Sequence, residues 1–273
     1  MKRIVICADD FGISAGVDQG ILDLAAGGRL SAVSCLVEAP CLKSHAERLQ
    51  SLPVDIGLHL NFTEPFGAAT FFLPLPRLIV SGYLGRLNRQ ILIETIDRQC
   101  DRFEEVFAGP PQFIDGHQHV HQLPMIRNAL LEVINRRYRK AALWLRSTRV
   151  RRGTKASLSH HLKATIIAAL GGRALRRRAS AQGWPMNDRL LGVYDFSASE
   201  RQYAALLSGW LDGAQDGDLL MCHPAKSVTS NDPLGEQRVR EYLVLADPRF
   251  DHWLAARGLS LFRLSSLARP TGR

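Results

Sequence analysis

The chain has 273 residues, 46% of them hydrophobic, and carries a formal charge of +9. This length and apolar content suit one large α/β domain or two small ones and argue against general disorder. The apolar stretch Ile4–Ala8 is too short for a signal peptide and ends in acids, and no run approaches the roughly 18 apolar residues of a membrane helix, so a cytoplasmic location is expected.

The positive charge is local. Between Val133 and Asn187 there are 14 Lys/Arg and no Asp/Glu, which leaves 21 basic against 26 acidic residues elsewhere. The high basicity therefore belongs to one segment and not to the whole surface. The cysteines Cys7, Cys35, Cys41, Cys100 and Cys222 are scattered, with no CxxC pair. Neither a thiolate zinc site nor a disulfide framework is indicated. Cys7, Cys35 and Cys222 lie in apolar runs and read as core thiols.

In chain order, a strand over Arg3–Ala8 runs into Asp9 and Asp10. A helix over Ala15–Ala26 follows, with Ser14 as its N-cap and Gly27-Gly28 at its end. Strands are expected over Ala32–Glu38 and Asp55–Leu60. Pro65–Arg86 is rich in Pro, Gly and aromatics and reads as a long loop or lid, at about residues 64–87. A helix over Asn88–Phe107, a strand over Phe113–Asp115, a helix over Pro124–Tyr138 and a strand over Ala142–Arg146 come next. A basic helical insertion occupies about 147–187. The chain closes with a helix over Ser199–Asp212, a strand over Leu219–Cys222, a helix over Glu236–Ala246 and a strand over Leu259–Leu264. Strand–helix alternation with nearly continuous apolar strands predicts a parallel sheet, in a (β/α) barrel or a doubly wound arrangement. No GxGxxG or GxxxxGK[ST] is present, which argues against nucleotide binding.

Polar clusters follow four of these strands. They are Asp9-Asp10; His59 and Asn61 in "GLHLNFT"; Asp115, His117, His119 and His121 in "DGHQHVHQLP"; and His223 in "CHPA". In parallel α/β folds the C-terminal strand ends share one face, where active sites sit. Singly, each cluster reads as well as a cap, a turn or a satisfied histidine. Together, imidazoles and a carboxylate make a site for a first-row divalent ion. Such an ion offsets the repulsion between adjacent acids: one ligates, and the other stays free to take a proton.

The four motifs, in this order, resemble the YdjC/ChbG-type (ChbG/HpnK-like) carbohydrate deacetylases. The resemblance runs from residue 2 to about 225 and continues weakly through "REYLVL". It implies a TIM-barrel-like α/β fold, incomplete or distorted, of the glycoside hydrolase/deacetylase type, as one domain over 1–273. It implies one divalent metal ion, Zn²⁺ or Mg²⁺ with Mn²⁺ or Co²⁺ as alternatives, and an N-acetylated sugar as substrate, chitooligosaccharide-like or lipid-linked. Carried over by position, Asp10, His59 and His117 are the implied metal ligands. Asp9 is the implied base and His223 the implied acid, with an activated water attacking the acetamide carbonyl. Asn61 is expected at the substrate or behind the ligands, His119 and His121 to orient His117 or touch substrate, and Asp115 to hold His117 in its tautomer. Arg146 is expected to hold Asp9 ionised, to bind an acidic substrate group or to form a plain surface ion pair. The family more often has Ser where Gly116 stands, and Asn in the first helix where this chain has Asp18.

The basic segment matches no motif of that family. It lacks the interleaved aromatics of nucleic-acid readers, so no nucleic-acid partner is expected. His161–Arg178 resembles an interfacial amphipathic helix, which would give peripheral membrane contact, but an ordinary helix packed on the barrel with a solvated basic face is the preferred reading, and Gly171-Gly172 opposes one continuous helix. A homodimer is compatible with the sequence. An amidohydrolase- or phosphoesterase-like hydrolase and a non-catalytic sugar-binding barrel are the competing functions.

Overall fold

Strand β1 (Lys2–Phe11) is the axis of the sheet. The computed structural model describes residues 1–66, 71–150, 168–230 and 232–267. After β1 come α1 (Ala15–Ala26), β2 (Ala32–Cys35), α2 (Leu42–Gln50), β3 (Asp55–Leu60), α3 (Leu75–Tyr83) and α4 (Arg89–Phe107). Then follow β4 (Phe113–Gly116), a 3₁₀ turn over His117–Gln122, α5 (Ile126–Arg137) and β5 (Trp144–Leu145). The remainder is α6 (Arg173–Ala181), β6 (Leu190–Leu191), α7 (Glu200–Gly213), β7 (Leu219–Cys222), α8 (Gly235–Leu245), α9 (Phe250–Ala255) and β8 (Leu259–Leu261). The strands lie in the order β5-β4-β3-β2-β1-β7-β6, and β8 pairs with the first residues of β1. Every pairing is parallel. The sheet curls into an incomplete TIM-like barrel, as the strand–helix alternation and the family resemblance predicted.

Period-two alternation sorts the strand residues into two sets. Ile4, Ile6 and Ala8 of β1 face the helices and join the larger apolar core. Val5 and Cys7 face inward and pack with Ala32, Phe113, Trp144, Leu219 and Met221 in a smaller inner core. The rings of Phe113 and Trp144 stack there at 4.3 Å. Gly57 makes room for them, since a Cβ at that position would lie 2.4 Å from the Phe113 ring. One step further along the same inward rows stand Asp9, Ser34, His59, Asp115, Arg146 and His223. The barrel interior therefore changes from apolar to charged as it approaches the C-terminal strand ends.

The first strand continues past Ala8 through both acids to Phe11, and α2, α9 and β6 join the expected elements. Two further expectations also change. The stretch read as a loop over Pro65–Arg86 contains α3, whose Pro76 sits in the first turn, where a missing N–H costs no bond. The predicted helix over His161–Arg178 is interrupted: Ala168–Gly172 is a wide turn with Gly171 at φ 133°, and α6 begins only at Arg173. A Cβ on Gly171 would lie 2.1 Å from the Gln122 carbonyl oxygen, so the break follows from close backbone approach. Residues 161–167 of that expectation lie outside the described residues. No helix among the described residues is long and apolar enough to cross a membrane.

Candidate active site

β1 delivers both of its acids to one pocket by breaking its own alternation. Its register with β2 shifts between Ala8 and Phe11, and Asp10 takes a φ of 70°. In a regular strand Asp9 and Asp10 would face opposite sides; the bulge turns both toward a cavity of about 580 Å³. Gly12 completes the turn at φ 102°, with a hypothetical Cβ 3.1 Å from the Leu36 carbonyl oxygen. Its N–H donates to the buried Asp18 carboxylate at 2.6 Å, whose other oxygen pairs with His45 at 2.7 Å. Asp18 thus anchors the acid-bearing turn from behind. Ser14 accepts the Val17 N–H and caps α1, as expected.

One wall of the pocket gathers groups that could hold a cation. Asp10 Oδ1 lies 2.8 Å from His117 Nδ1 and 3.4 Å from His59 Nε2. Its Oδ2 accepts from Arg238 Nη2 at 2.7 Å. His59 turns its other nitrogen to Asp115 at 2.6 Å, and Ser34 Oγ donates to the same carboxylate at 2.5 Å. Asp115 therefore orients His59 and makes no contact with His117. Burial raises the Asp10 carboxyl, but His117 and Arg238 outweigh it and hold it well below the usual range. Burial likewise opposes the charge on His59, yet Asp115 and Asp10 lift its pKa to about 10. His117 is also raised: Asp10 and Glu64 overcome the effect of burial.

These residues fit a divalent ion. One donor atom from each of Asp10, His59 and His117 lies within 4.8 Å of the others, as an oxygen–nitrogen–nitrogen set. The electrostatics agree. Asp9, Asp10 and Asp115 are all buried, and among the described residues the fixed cations against them are Arg146 and Arg238, the latter shared with Asp232. The acids outnumber these cations, and the excess negative charge is left for protons on the histidines or for a metal to neutralise. A second group, Cys7–Asp9–Asp115, has similar spacing. The Arg146 guanidinium fills it, 2.6 Å from Asp9 Oδ1 and Oδ2, 2.6 Å from Asp115 and 2.9 Å from Cys7 Sγ.

The opposite wall carries His223, at the end of β7. Its Nε2 is 3.9 Å from Asp9 Oδ2, its ring meets Phe196 edge-on at 5.1 Å, and its Nδ1 has no hydrogen-bond partner among the described residues. Burial lowers its pKa to about 4, so this imidazole is neutral at neutral pH. Its backbone N–H donates at 2.6 Å to Glu241, a buried carboxylate on α8 that also accepts from the Tyr194 hydroxyl. Burial pushes Glu241 up to about 7.

The remaining predicted residues separate. His119 lines the cavity on a turn where Gln118 and His119 both take left-handed φ, 52° and 59°. His121 points away from it, with Nε2 3.1 Å from the Arg146 carbonyl, and burial lowers it to about 4. Asn61 spends its amide on the turn after β3: Oδ1 accepts the Thr63 and Glu64 N–H groups, and Nδ2 donates to the Glu64 carbonyl. It thereby sets Glu64, whose carboxylate lies 3.7 Å from His117 Nε2. At Gly116 a serine Cβ would lie 2.8 Å from the His121 nitrogen, so the glycine permits this particular fold-back.

Sequence reasoning missed Arg238, Glu241, Ser34 and Glu64. Arg238 and Glu241 are three apart in "RVREY", on one face of a helix, and that spacing was their only signal. Ser34 is the inward residue of β2 and had none beyond alternation.

Comparison with known proteins agrees with this architecture. A carbohydrate deacetylase of Mus musculus is 28% identical, with 97% of this chain and 94% of the relative covered. A chitooligosaccharide deacetylase of Enterobacter sp. (strain 638) is 24% identical, covering 95% of this chain and 97% of the relative. Among solved structures, a putative cellobiose-phosphate cleavage protein of Enterococcus faecalis V583 superposes with a TM-score of 0.70 at 21% identity, covering 98% of this chain and 99% of that one. An acetyl xylan esterase of Clostridium thermocellum in complex with a cobalt ion gives 0.52 at 12% identity, covering 97% and 90%. At these identities both structures speak to the fold alone. The family model described as YdjC-like protein matches residues 3–256, and the chain belongs to that family.

Proposed function

We propose that the chain is a divalent-metal-dependent carbohydrate N-deacetylase, which hydrolyses the acetamide of an N-acetylated amino sugar to acetic acid and a free amine. One observation carries the reading. The two adjacent acids have different surroundings: Asp10 faces His59 and His117, and Asp9 faces Arg146 and His223. The names of the mouse and Enterobacter relatives supply the substrate class.

Asp10, His59 and His117 would hold the ion, which when bound polarises the acetyl carbonyl and brings the pKa of a water toward ~7. Zn²⁺ suits two imidazoles and a carboxylate, and Mg²⁺, Mn²⁺ or Co²⁺ are the alternatives. Asp9 takes the proton of the attacking water. Arg146 holds both of its oxygens and so fixes the plane of the carboxylate. His223 starts neutral, so its acid form arises within the reaction, from the proton that Asp9 has collected. It passes that proton to the sugar nitrogen as the C–N bond breaks. The reaction consumes one water and leaves both groups as they began.

The cavity has the size of a small-molecule site. Its charged floor is flanked by Leu75, Ile79, Leu123, Leu170 and Phe196. That lining suits the apolar faces of sugar rings in a chitooligosaccharide-like substrate, and equally a lipid-linked amino sugar. The test is acetate release from N-acetylglucosamine oligomers by the metal-loaded protein, with and without chelator. Release that stops on chelation and returns with added metal is expected. Release indifferent to chelator would refute the metal reading, and sugar binding without release would leave a binding barrel.

A further inference from the structure

Helix α3 is apolar on two sides. Leu78 is buried against the core, and Leu75 and Ile79 line the cavity. Outward, Val80, Tyr83 and Leu84 are 56%, 51% and 56% exposed, and Phe72, just before the helix, is 42% exposed. Single exposed apolar residues are ordinary, but several on one short element beside a cavity mark an interaction surface.

The ground beside this surface is basic. Arg127, at the start of α5, lies within electrostatic reach of Tyr83 on one side and of Arg177 and Arg178 of α6 on the other. Arg178 donates to Asn128, which ties α6 to α5 there. Among the described residues none of Arg77, Arg86, Arg127, Arg177 and Arg178 forms an ion pair with a carboxylate. Carboxylates lie close by, Asp188 and Asp216 in the cleft beside Arg177 and Glu132 in the one beside Arg178, but they pair with Arg176, Arg3 and Arg89. Leu170, on the turn leading into α6, lines the same cavity as Leu75 and Ile79, so the patch borders the opening of the pocket.

We propose that the outer face of α3, together with Arg127, Arg177 and Arg178, docks on an anionic lipid bilayer. Val80, Tyr83 and Leu84 enter the headgroup region, and the guanidinium groups bind lipid phosphates. A second copy of the chain is the poorer occupant, since two such faces would oppose arginine to arginine. The inference does not rest on the reaction proposed above.

The test is cosedimentation of the full chain with vesicles of mixed phosphatidylglycerol and phosphatidylcholine, against vesicles of phosphatidylcholine alone. Binding to the anionic vesicles only, weakened by high salt, is expected. Val80→Ser/Leu84→Ser and Arg177→Gln/Arg178→Gln should each lower the partition by roughly tenfold or more. Both pairs lie outside the pocket, so turnover of a water-soluble substrate should stay unchanged; melting should stay unchanged in the first pair and fall slightly in the second, which loses the Arg178–Asn128 bond. Failure to bind anionic vesicles at low salt overturns the proposal, as does binding that neither double variant weakens. A concentration-dependent dimer abolished by Val80→Ser/Leu84→Ser, with no vesicle binding, would show the face to be a subunit interface and overturn it too.

Discussion

The two walls of the pocket hold the same side chain in opposite states. On the β3–β4 wall, His59 sits between Asp115 and Asp10, and its pKa is lifted to about 10. On the β7 wall, His223 is 13% exposed against 2% for His59, its Nδ1 has no hydrogen-bond partner among the described residues, and its pKa falls to about 4. Burial pushes both toward neutrality; only the carboxylates near His59 reverse the sign. Histidine content alone therefore says little about a site. What matters is which acid each ring faces, and at what distance.

Removing the acid at the centre of the first wall should have the largest effect. Asp10→Asn keeps the shape but takes the charge from the donor set, so metal content measured by elemental analysis and deacetylation should both collapse. The matching change on the second wall is milder. His223→Ala should lower turnover by about 10²–10⁴-fold, the usual worth of a positioned acid or base, with metal content unchanged. If both variants lost metal alike, the two walls would not have separate jobs.

Glu241 sharpens the contrast from behind His223. Its carboxyl sits at about 7 in the folded protein, above the 4.5 of an unperturbed glutamate. The folded chain thus holds a proton that the unfolded chain has already lost. The stability linked to this group is complete below about pH 4.5 and is lost as pH rises through 7. Glu241→Gln stays neutral throughout. In urea titrations the variant should gain on the parent chain between pH 5 and pH 8, by up to roughly 3 kcal/mol at about 1.4 kcal/mol per pH unit. A constant difference across that range would show that the buried carboxylate is not protonated. The smallest effect is expected behind the first wall. Asp115→Asn leaves the three donors in place but removes the charge that orients His59, and metal affinity measured by competition with a chelating dye should fall about 10–100-fold.

Much of this was legible before folding. The β1 acids, His59, His117 and His223 were each marked by a strand that ends in polar residues, and parallel strands must present those ends together. The first helix with its Ser14 cap, the strand over Asp55–Leu60 and the glycine break at Gly171 were readable for the same reason, because each depends on local backbone chemistry. The helix within Pro65–Arg86 was masked by its prolines and glycines. It is held by packing, with Leu78 in the core and Gly82 against the Pro124 carbonyl, and not by propensity.

The sequence by itself determined the kinds of donor available and the common rim on which they would meet. Only the tertiary structure decided which group faces which. Arg146 crosses 137 positions to clamp Asp9, and Arg238 crosses 228 to reach Asp10. Those pairings follow from the curl of the sheet and the bulge in β1, which depend on the whole barrel closing around its inner core. A side chain's charge is a property of its residue type, but its protonation state belongs to the partners that the fold brings within 3 or 4 Å.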